Sequence, residues 1–109
     1  MTVPQDIFQK IQEQVARDPI VLYMKGTPAI PQCGFSQVTV EILRRTGKRF
    51  VAYDVLQDAA LREGVKQFSN WPTIPQLYVK GEFVGGCDIV RSMFDSGELD
   101  TLVTGIESA

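Results

Sequence analysis

The sequence predicts an α/β layered domain in which helices cover both faces of a four-stranded mixed β-sheet. Helix and strand patterns follow one another in the order α, β, α, β, α, β, β, α, and strands joined through a helix must run parallel. A two-residue turn at Lys80-Gly81 separates the last two strand patterns, which predicts an antiparallel hairpin. The length of 109 residues leaves room for one domain, covering residues 1–109.

The first half of the chain alternates helix and strand patterns. Pro4–Arg17 carries apolar residues at helical spacing and predicts the first helix. Ile20–Met24 is a continuous apolar run, typical of a strand buried on both faces. The proline-containing segment Gly26–Gln32 predicts a loop. Helical spacing resumes after Gly34, and Gly47 supplies a C-terminal stop.

The second half supplies the rest of the sheet. Arg49–Val55 predicts a strand, and Ala59–Ser69 predicts a helix with Asp58 as its N-cap. Four shorter elements follow, namely strands at Gln76–Val79 and Glu82–Val84, then helices at Ile89–Asp95 and Glu98–Thr104. At this chain length, a thioredoxin-like arrangement fits the order best.

The composition disfavours several classes of partner. A net charge of −2 and a pI near 5.0 provide no electrostatic footprint for nucleic acid or anionic membranes. The longest apolar run, Pro19–Met24, is far shorter than the roughly 18 residues that a membrane-spanning helix needs. The N-terminal residues match neither a signal peptide nor a transit peptide, which predicts a cytoplasmic location, or a chain whose leader has been removed.

The absence of histidine is the most restrictive feature of the composition. It excludes Ser/His/Asp and Cys/His catalytic pairs and every zinc site that uses histidine. The chain has two cysteines, too few for a tetrahedral site of four thiolates. Any such metal centre must therefore take ligands from outside the chain.

Cys33 is the candidate reactive thiol. It directly precedes a predicted helix, whose unpaired amides favour a thiolate, and Lys25 could add a cation that lowers the thiol pKa. The alternative is an inert buried cysteine. Ser36 stands where a Cys-x-x-Cys oxidoreductase carries its second thiol, so no local disulfide can form. A mixed disulfide at Cys33 would persist until an outside thiol, or Cys87, resolved it.

Three other features have both a structural and a functional interpretation. Trp71 and Ile74 are interpreted as core side chains, and base rates favour a trans bond at Ile74-Pro75. The amides of Gly85-Gly86-Cys87-Asp88 could meet an anion, although Asp88 could instead be an N-cap. Arg62 and Lys66 share a helix face that suits carboxylate binding or simply faces solvent.

Four ordered segments give the chain a resemblance to the monothiol glutaredoxins of the Cys-Gly-Phe-Ser type. These segments are Lys25-Gly26-Thr27-Pro28, Pro31-Gln32-Cys33-Gly34-Phe35-Ser36, Trp71-Pro72-Thr73-Ile74-Pro75-Gln76 and Gly85-Gly86-Cys87-Asp88-Ile89. The Cys-Gly-Phe-Ser tetrapeptide alone would be weak evidence, but four motifs in family order across the whole chain are specific.

The resemblance implies a thioredoxin fold with cis Pro75, against the base rate, and a glutathione site beside Cys33. Cationic side chains would meet the glutathione carboxylates, the main chain before Pro75 would pair with its backbone, and the start of the last helices would hold its γ-glutamyl end. The residues implied are Lys25, Arg62, Lys66, Thr73, Ile74, Pro75, Gly86, Cys87 and Asp88, with Gly34, Phe35 and Ser36 supporting the motif.

The resemblance also implies a bridging [2Fe–2S] cluster. Two Cys33 thiolates of a homodimer and two glutathione thiolates would ligate it, and the cluster would pass by thiolate exchange to iron–sulfur acceptor proteins, with BolA-type proteins as further partners. Three alternatives stay open. The protein could be a weak glutathione-dependent thiol–disulfide oxidoreductase with Cys33 as nucleophile, or a plain interaction scaffold. Alternatively, two Cys33 and two Cys87 thiolates could hold the cluster without glutathione.

Overall fold

The computed structural model describes residues 5–109, with the backbone alone at Gln5. The α-helices of this range are α1 Gln5–Arg17, α2 Gly34–Thr46, α3 Ala59–Ser69, α4 Cys87–Ser96 and α5 Glu98–Leu102. The β-strands are β1 Ile20–Met24, β2 Val51–Asp54, β3 Gln76–Val79 and β4 Glu82–Gly85, and a short 3-10 helix covers Val55–Gln57. None of the described helices is long and apolar enough to cross a membrane.

The four strands form one mixed sheet in the order β2-β1-β3-β4. β1 runs parallel to β2, with Leu22 opposite Ala52, and antiparallel to β3, with Leu22 opposite Leu77. β3 and β4 are antiparallel, as the turn at Lys80-Gly81 predicts. The α2 crossover joins the parallel pair. The predicted four-stranded mixed sheet is confirmed.

Alternate residues of β1 face two separate apolar layers. Ile20, Leu22 and Met24 pack with residues of α2, α4 and α5, whereas Val21 and Tyr23 pack with residues of α1 and α3. All five residues of β1 are buried, because helices cover both faces of the sheet. The prediction of helices on both faces is confirmed.

Most element boundaries agree with the sequence pattern, and the differences have local causes. The predicted strand Arg49–Val55 shortens at both ends, since the Arg49 amide donates to Glu107 at 2.9 Å and Val55 begins the 3-10 helix. α5 ends at Leu102 rather than Thr104. The Thr104 amide donates to the Thr101 carbonyl, three residues back, as in a 3-10 turn rather than an α-helix.

Three further helix and strand ends were predicted with different accuracy. β4 extends one residue beyond its predicted end, to Gly85, and α4 begins at Cys87 rather than Ile89. The predicted N-cap of α3 is confirmed, because the Asp58 carboxylate accepts a hydrogen bond from the Leu61 amide at 3.1 Å. The predicted role of Pro4 in the first helix lies outside the described residues.

Candidate functional site

A groove of about 490 Å³ lies where β1 ends and where α2 and α4 begin. The segment that leads into β3 forms another part of its wall. Its lining residues are Lys25, Cys33, Phe35, Lys66, Trp71, Pro72, Thr73, Ile74, Pro75, Gly86, Cys87, Asp88 and Ile89. The volume is within the range of pockets that hold small molecules, and the sequence-predicted site residues make up most of the lining.

Cys33 is the partly exposed N-cap residue of α2. Burial, the largest single influence, raises the pKa of the thiol, whereas hydrogen bonds from the amides of Ser36 and Phe35 lower it. The charge of Lys25 and the Ser36 hydroxyl also favour the thiolate, so the net pKa lies below the ordinary value of a cysteine. The first turn of α2 contains no acidic residue that would oppose the thiolate.

The Ser36 hydroxyl ties the start of α2 to the end of β1. Ser36 is completely buried, and its oxygen accepts a hydrogen bond from the Lys25 amide at 3.1 Å. The residue that replaces a second thiol therefore fixes the backbone of Lys25, and its hydroxyl also favours the Cys33 thiolate. Its role is to hold two parts of the site together.

The loop between Lys25 and Cys33 folds back on itself. The Gln32 amide donates to the Lys25 carbonyl at 2.9 Å, and the Gly26 amide donates to the Asp54 carboxylate at 2.9 Å. Gly26 has a φ of +89°, and a Cβ at this position would lie 2.6 Å from the Gln32 nitrogen. Position 26 therefore requires glycine, which lets the two ends of the loop approach closely.

The segment before β3 contains the cis peptide bond Ile74-Pro75, as the resemblance implies and against the base rate. Ile74 is buried in the core and also lines the groove, so the expected core role is confirmed and a site role is added. Trp71 is only partly buried: its ring packs against Phe83 and it also lines the groove wall, so it lies at the edge of the core rather than within it.

The start of α4 forms the opposite wall. Gly86, not Asp88, is the N-cap of α4, so the predicted capping role of Asp88 is wrong. Asp88 is exposed in the first helical turn. A Cβ at Gly86 would lie 3.3 Å from Trp71 Nε1, so glycine lets the two walls approach each other. Cys87 lines the groove but is buried, and both cysteines are free.

Of the three cationic residues predicted to bind glutathione, two line the groove and one does not. Lys25 and Lys66 line the groove, and the Lys66 ammonium lies 3.5 Å from the Glu63 carboxylate. Arg62 is partly exposed on α3 one turn before Lys66, outside the groove lining. The structure therefore gathers two of the three predicted cations. Gly34 and Ser36 likewise support the site from outside its lining.

Several residues that shape the groove had no role predicted from the sequence, although Pro72, Gln76 and Ile89 belong to the quoted motifs. Ile89 and Pro72 line it, and Asp54 fixes the loop that precedes Cys33. Gln76 is completely buried and bonds the backbone of the segment before β3. The signal for Gln76 was present in the sequence, since it is a polar residue at the start of an otherwise apolar strand.

Comparisons with known proteins identify the family of the chain. The profile of the family described as Glutaredoxin matches residues 20–84. A protein named Monothiol glutaredoxin-5, mitochondrial, from Lachancea kluyveri is 58% identical over 98 residues, which cover 87% of this chain and 68% of that protein. Glutaredoxin 4 of Escherichia coli (strain K12) is 52% identical over 96 residues, which cover 88% of this chain and 84% of that protein.

Solved structures show the same fold. The solution structure of a monomeric truncated mutant of Trypanosoma brucei 1-C-Grx1 is 36% identical with a TM-score of 0.84, covering 99% of this chain and 96% of that chain. The crystal structure of a buckwheat glutaredoxin–glutathione complex has a TM-score of 0.84 at 24% identity, covering 95% of this chain and 94% of that chain. The chain therefore belongs to the glutaredoxin family, among its monothiol members.

Proposed function

We propose that the groove binds glutathione with its sulfur beside Cys33. Lys25 and Lys66 supply positive charge for its carboxylates, and the main chain of Thr73 and Ile74 offers pairing groups for its peptide backbone. The groove has the size of a small-molecule site, and an amide-bearing helix start forms one wall. The glutathione bound to the buckwheat protein supports the same ligand for this fold.

We further propose that the glutathione-loaded chain carries a [2Fe–2S] cluster as its cargo. The observation that carries this proposal is a partly exposed thiol of lowered pKa with a serine in place of the second cysteine. Such a thiol can ligate iron, and no neighbouring thiol converts it into a local disulfide. Within residues 5–109, no group of three or more histidine, cysteine or acidic side chains could hold a metal ion.

A homodimer completes the ligand set in this proposal. Each chain contributes Cys33 and each bound glutathione contributes its thiol, which gives the four thiolates that a [2Fe–2S] cluster needs. Because glutathione is held without a covalent bond to the protein, its thiolates can exchange with those of an acceptor. This property suits delivery to iron–sulfur acceptor proteins, and BolA-type proteins are proposed as additional partners. The cytoplasmic location stays a prediction.

Anaerobic reconstitution with ferrous iron, sulfide and glutathione tests the proposal. The expected product has the visible absorption and circular dichroism of a [2Fe–2S] centre and forms only when glutathione is present. Cys33→Ser abolishes it, whereas Cys87→Ser preserves it. A cluster that survives Cys33→Ser contradicts the proposed ligation. A cluster that forms without glutathione and is lost in Cys87→Ser would instead support the arrangement with four protein thiolates.

A second candidate function is reduction of glutathionylated substrates, favoured by the lowered pKa of Cys33. The Cys33 thiolate would attack the glutathione sulfur of a mixed disulfide, releasing the substrate thiolate and leaving glutathione on Cys33. A second glutathione thiolate would then release oxidised glutathione and regenerate the Cys33 thiolate. Turnover of a glutathionylated peptide with glutathione and its reductase tests this function, and loss of turnover in Cys33→Ser is expected.

A further inference from the structure

Gln76 is a completely buried carboxamide at the first position of β3. Its Nε2 donates to the Trp71 carbonyl at 3.0 Å and to the Thr73 carbonyl at 3.2 Å. Its Oε1 accepts from the Tyr78 hydroxyl at 3.3 Å. Both amide hydrogens and the carbonyl oxygen are therefore used, so the side chain is held in one orientation.

The segment that Gln76 holds is the wall formed by residues 71–75. At its other end, the Trp71 amide donates to the Lys66 carbonyl and to the Ser69 hydroxyl, both at 3.1 Å. Trp71 is thus bonded through its amide to the end of α3 and through its carbonyl to Gln76. The backbone between these points carries the Thr73 and Ile74 part of the groove lining.

We infer that Gln76 is a positioning residue for glutathione, acting by fixing the main chain of Thr73 and Ile74 in the conformation that pairs with the peptide. This inference rests on the proposed glutathione site. Gln76 is absent from the groove lining, so it acts through the backbone that it bonds. A wall that is already ordered loses less conformational freedom on binding, which strengthens binding without any additional contact.

A second buried glutamine–tyrosine pair provides the control. The Tyr23 hydroxyl donates to Gln14 Oε1 at 2.7 Å, and Gln14 is buried on α1. Gln14 is not part of the groove lining, and its carbonyl oxygen bonds Tyr23 rather than the segment of residues 71–75. Methionine has a volume similar to that of glutamine but no carboxamide. Either replacement removes a buried polar group, but only Gln76→Met frees the groove wall.

The experiment measures glutathione affinity by calorimetry, at a temperature where all variants are folded. We expect Gln76→Met to raise the Kd about tenfold, equivalent to roughly 1.4 kcal/mol, while Gln14→Met stays within about twofold despite a comparable loss of thermal stability. Tyr78→Phe keeps both bonds from Nε2, frees Oε1 and removes the hydroxyl contact with Ser69, so it should raise the Kd by less. This milder variant decides the matter if Gln76→Met does not fold.

Amide hydrogen exchange gives a readout that does not depend on glutathione. We expect faster exchange at the Trp71 amide, which is bonded to Lys66 and Ser69, in Gln76→Met and unchanged exchange there in Gln14→Met. Equal affinities in the two methionine variants, or unchanged exchange at the wall, would overturn the inference. If the unaltered chain does not bind glutathione, the proposed function fails and the inferred role in affinity fails with it. The exchange data then show separately whether Gln76 orders the wall.

Discussion

The two cysteines of the groove both lie at the start of a helix, but their surroundings differ. Cys33 is the partly exposed N-cap of α2, with the charge of Lys25 acting on its thiol. Cys87 is the first residue of α4, is 7% exposed, and is followed by the acidic Asp88. A helix start therefore does not by itself make a reactive thiol. Cys33 differs from the buried Cys87 by its exposure and by the groups that favour its thiolate.

The largest expected effect is the difference in alkylation rate between the two thiols. At pH 7, iodoacetamide should modify Cys33 at least about 100-fold faster than Cys87, because Cys87 must first be exposed by local opening. Mass spectrometry of digested protein over a time course measures both rates. Equal rates would show that the burial of Cys87 does not protect it, and the comparison would fail.

The rate at Cys33 should also depend on pH in a defined direction. Its thiolate carries the reaction, so the rate reaches its plateau at a lower pH than for an ordinary cysteine. By linkage, the stabilisation of the folded state by this thiolate is complete above the pKa of an unfolded cysteine. It is lost as the pH falls through the lower pKa of Cys33. A plateau at or above the pH expected for free cysteine would contradict the assigned direction.

Two glycines near the cysteines allow a second test: Gly26, in the loop before Cys33, and Gly85, two residues before Cys87. A Cβ at Gly26 would meet backbone atoms at 2.6 Å, whereas at Gly85 it would meet the Ile89 side chain at 2.8 Å. Both have positive φ, and the contacts at Gly85 include the Ile89 Cβ, which no side-chain rotation can move. Gly26→Ala and Gly85→Ala should therefore each cost about 2–4 kcal/mol of unfolding free energy.

Gly34→Ala is the matched control for these glycines. A Cβ there would meet no atom within 4 Å, and Gly34 is the first residue of α2. Its unfolding free energy in urea should be unchanged or raised by up to about 1 kcal/mol. If Gly26→Ala proved as stable as Gly34→Ala, the loop before Cys33 would not need glycine.

Removing the cation beside Cys33 should have a smaller effect. Lys25→Met raises the pKa of the Cys33 thiol, because the charge that favours the thiolate is lost. Alkylation of Cys33 at pH 7 should slow about twofold to fivefold, the range expected for a partly exposed charge pair. Arg45→Met removes the same charge from the far end of α2 and should leave the rate unchanged. Equal slowing in both variants would point to net charge alone.

The smallest effect concerns Lys66, the groove cation that already has an acidic neighbour. Glu63→Gln removes the carboxylate 3.5 Å from its ammonium and leaves Lys66 free for a glutathione carboxylate. Glutathione affinity should rise about twofold to threefold at low salt, and the gain should shrink as salt is added. Calorimetry at two salt concentrations measures it. A weaker affinity in Glu63→Gln would mean that Glu63 holds Lys66 in its binding position.

The sequence predicted the fold well because β1 and the helices carry strong apolar periodicity. The boundaries were less predictable where single hydrogen bonds decide them, as at Arg49, whose amide bonds the C-terminal segment instead of β1. Cys33 and Lys25 could be found from their positions beside a predicted helix start and strand end, and the motifs added the other site residues. The roles of Asp54 and Gln76 were missed for two reasons. The bond between Asp54 and the Gly26 amide spans 28 positions, and the bonds from Gln76 to Trp71 and Thr73 form only once the segment before β3 has folded.

Native mass spectrometry of the anaerobically reconstituted protein tests the central claim most directly, because it counts chains, glutathione molecules and iron together. The proposed site predicts one species that contains two chains, two glutathione molecules and one [2Fe–2S] cluster, and Cys33→Ser should eliminate it. A cluster held by a single chain, or by two chains without glutathione, would contradict the proposal that Cys33 and glutathione thiolates share the cluster.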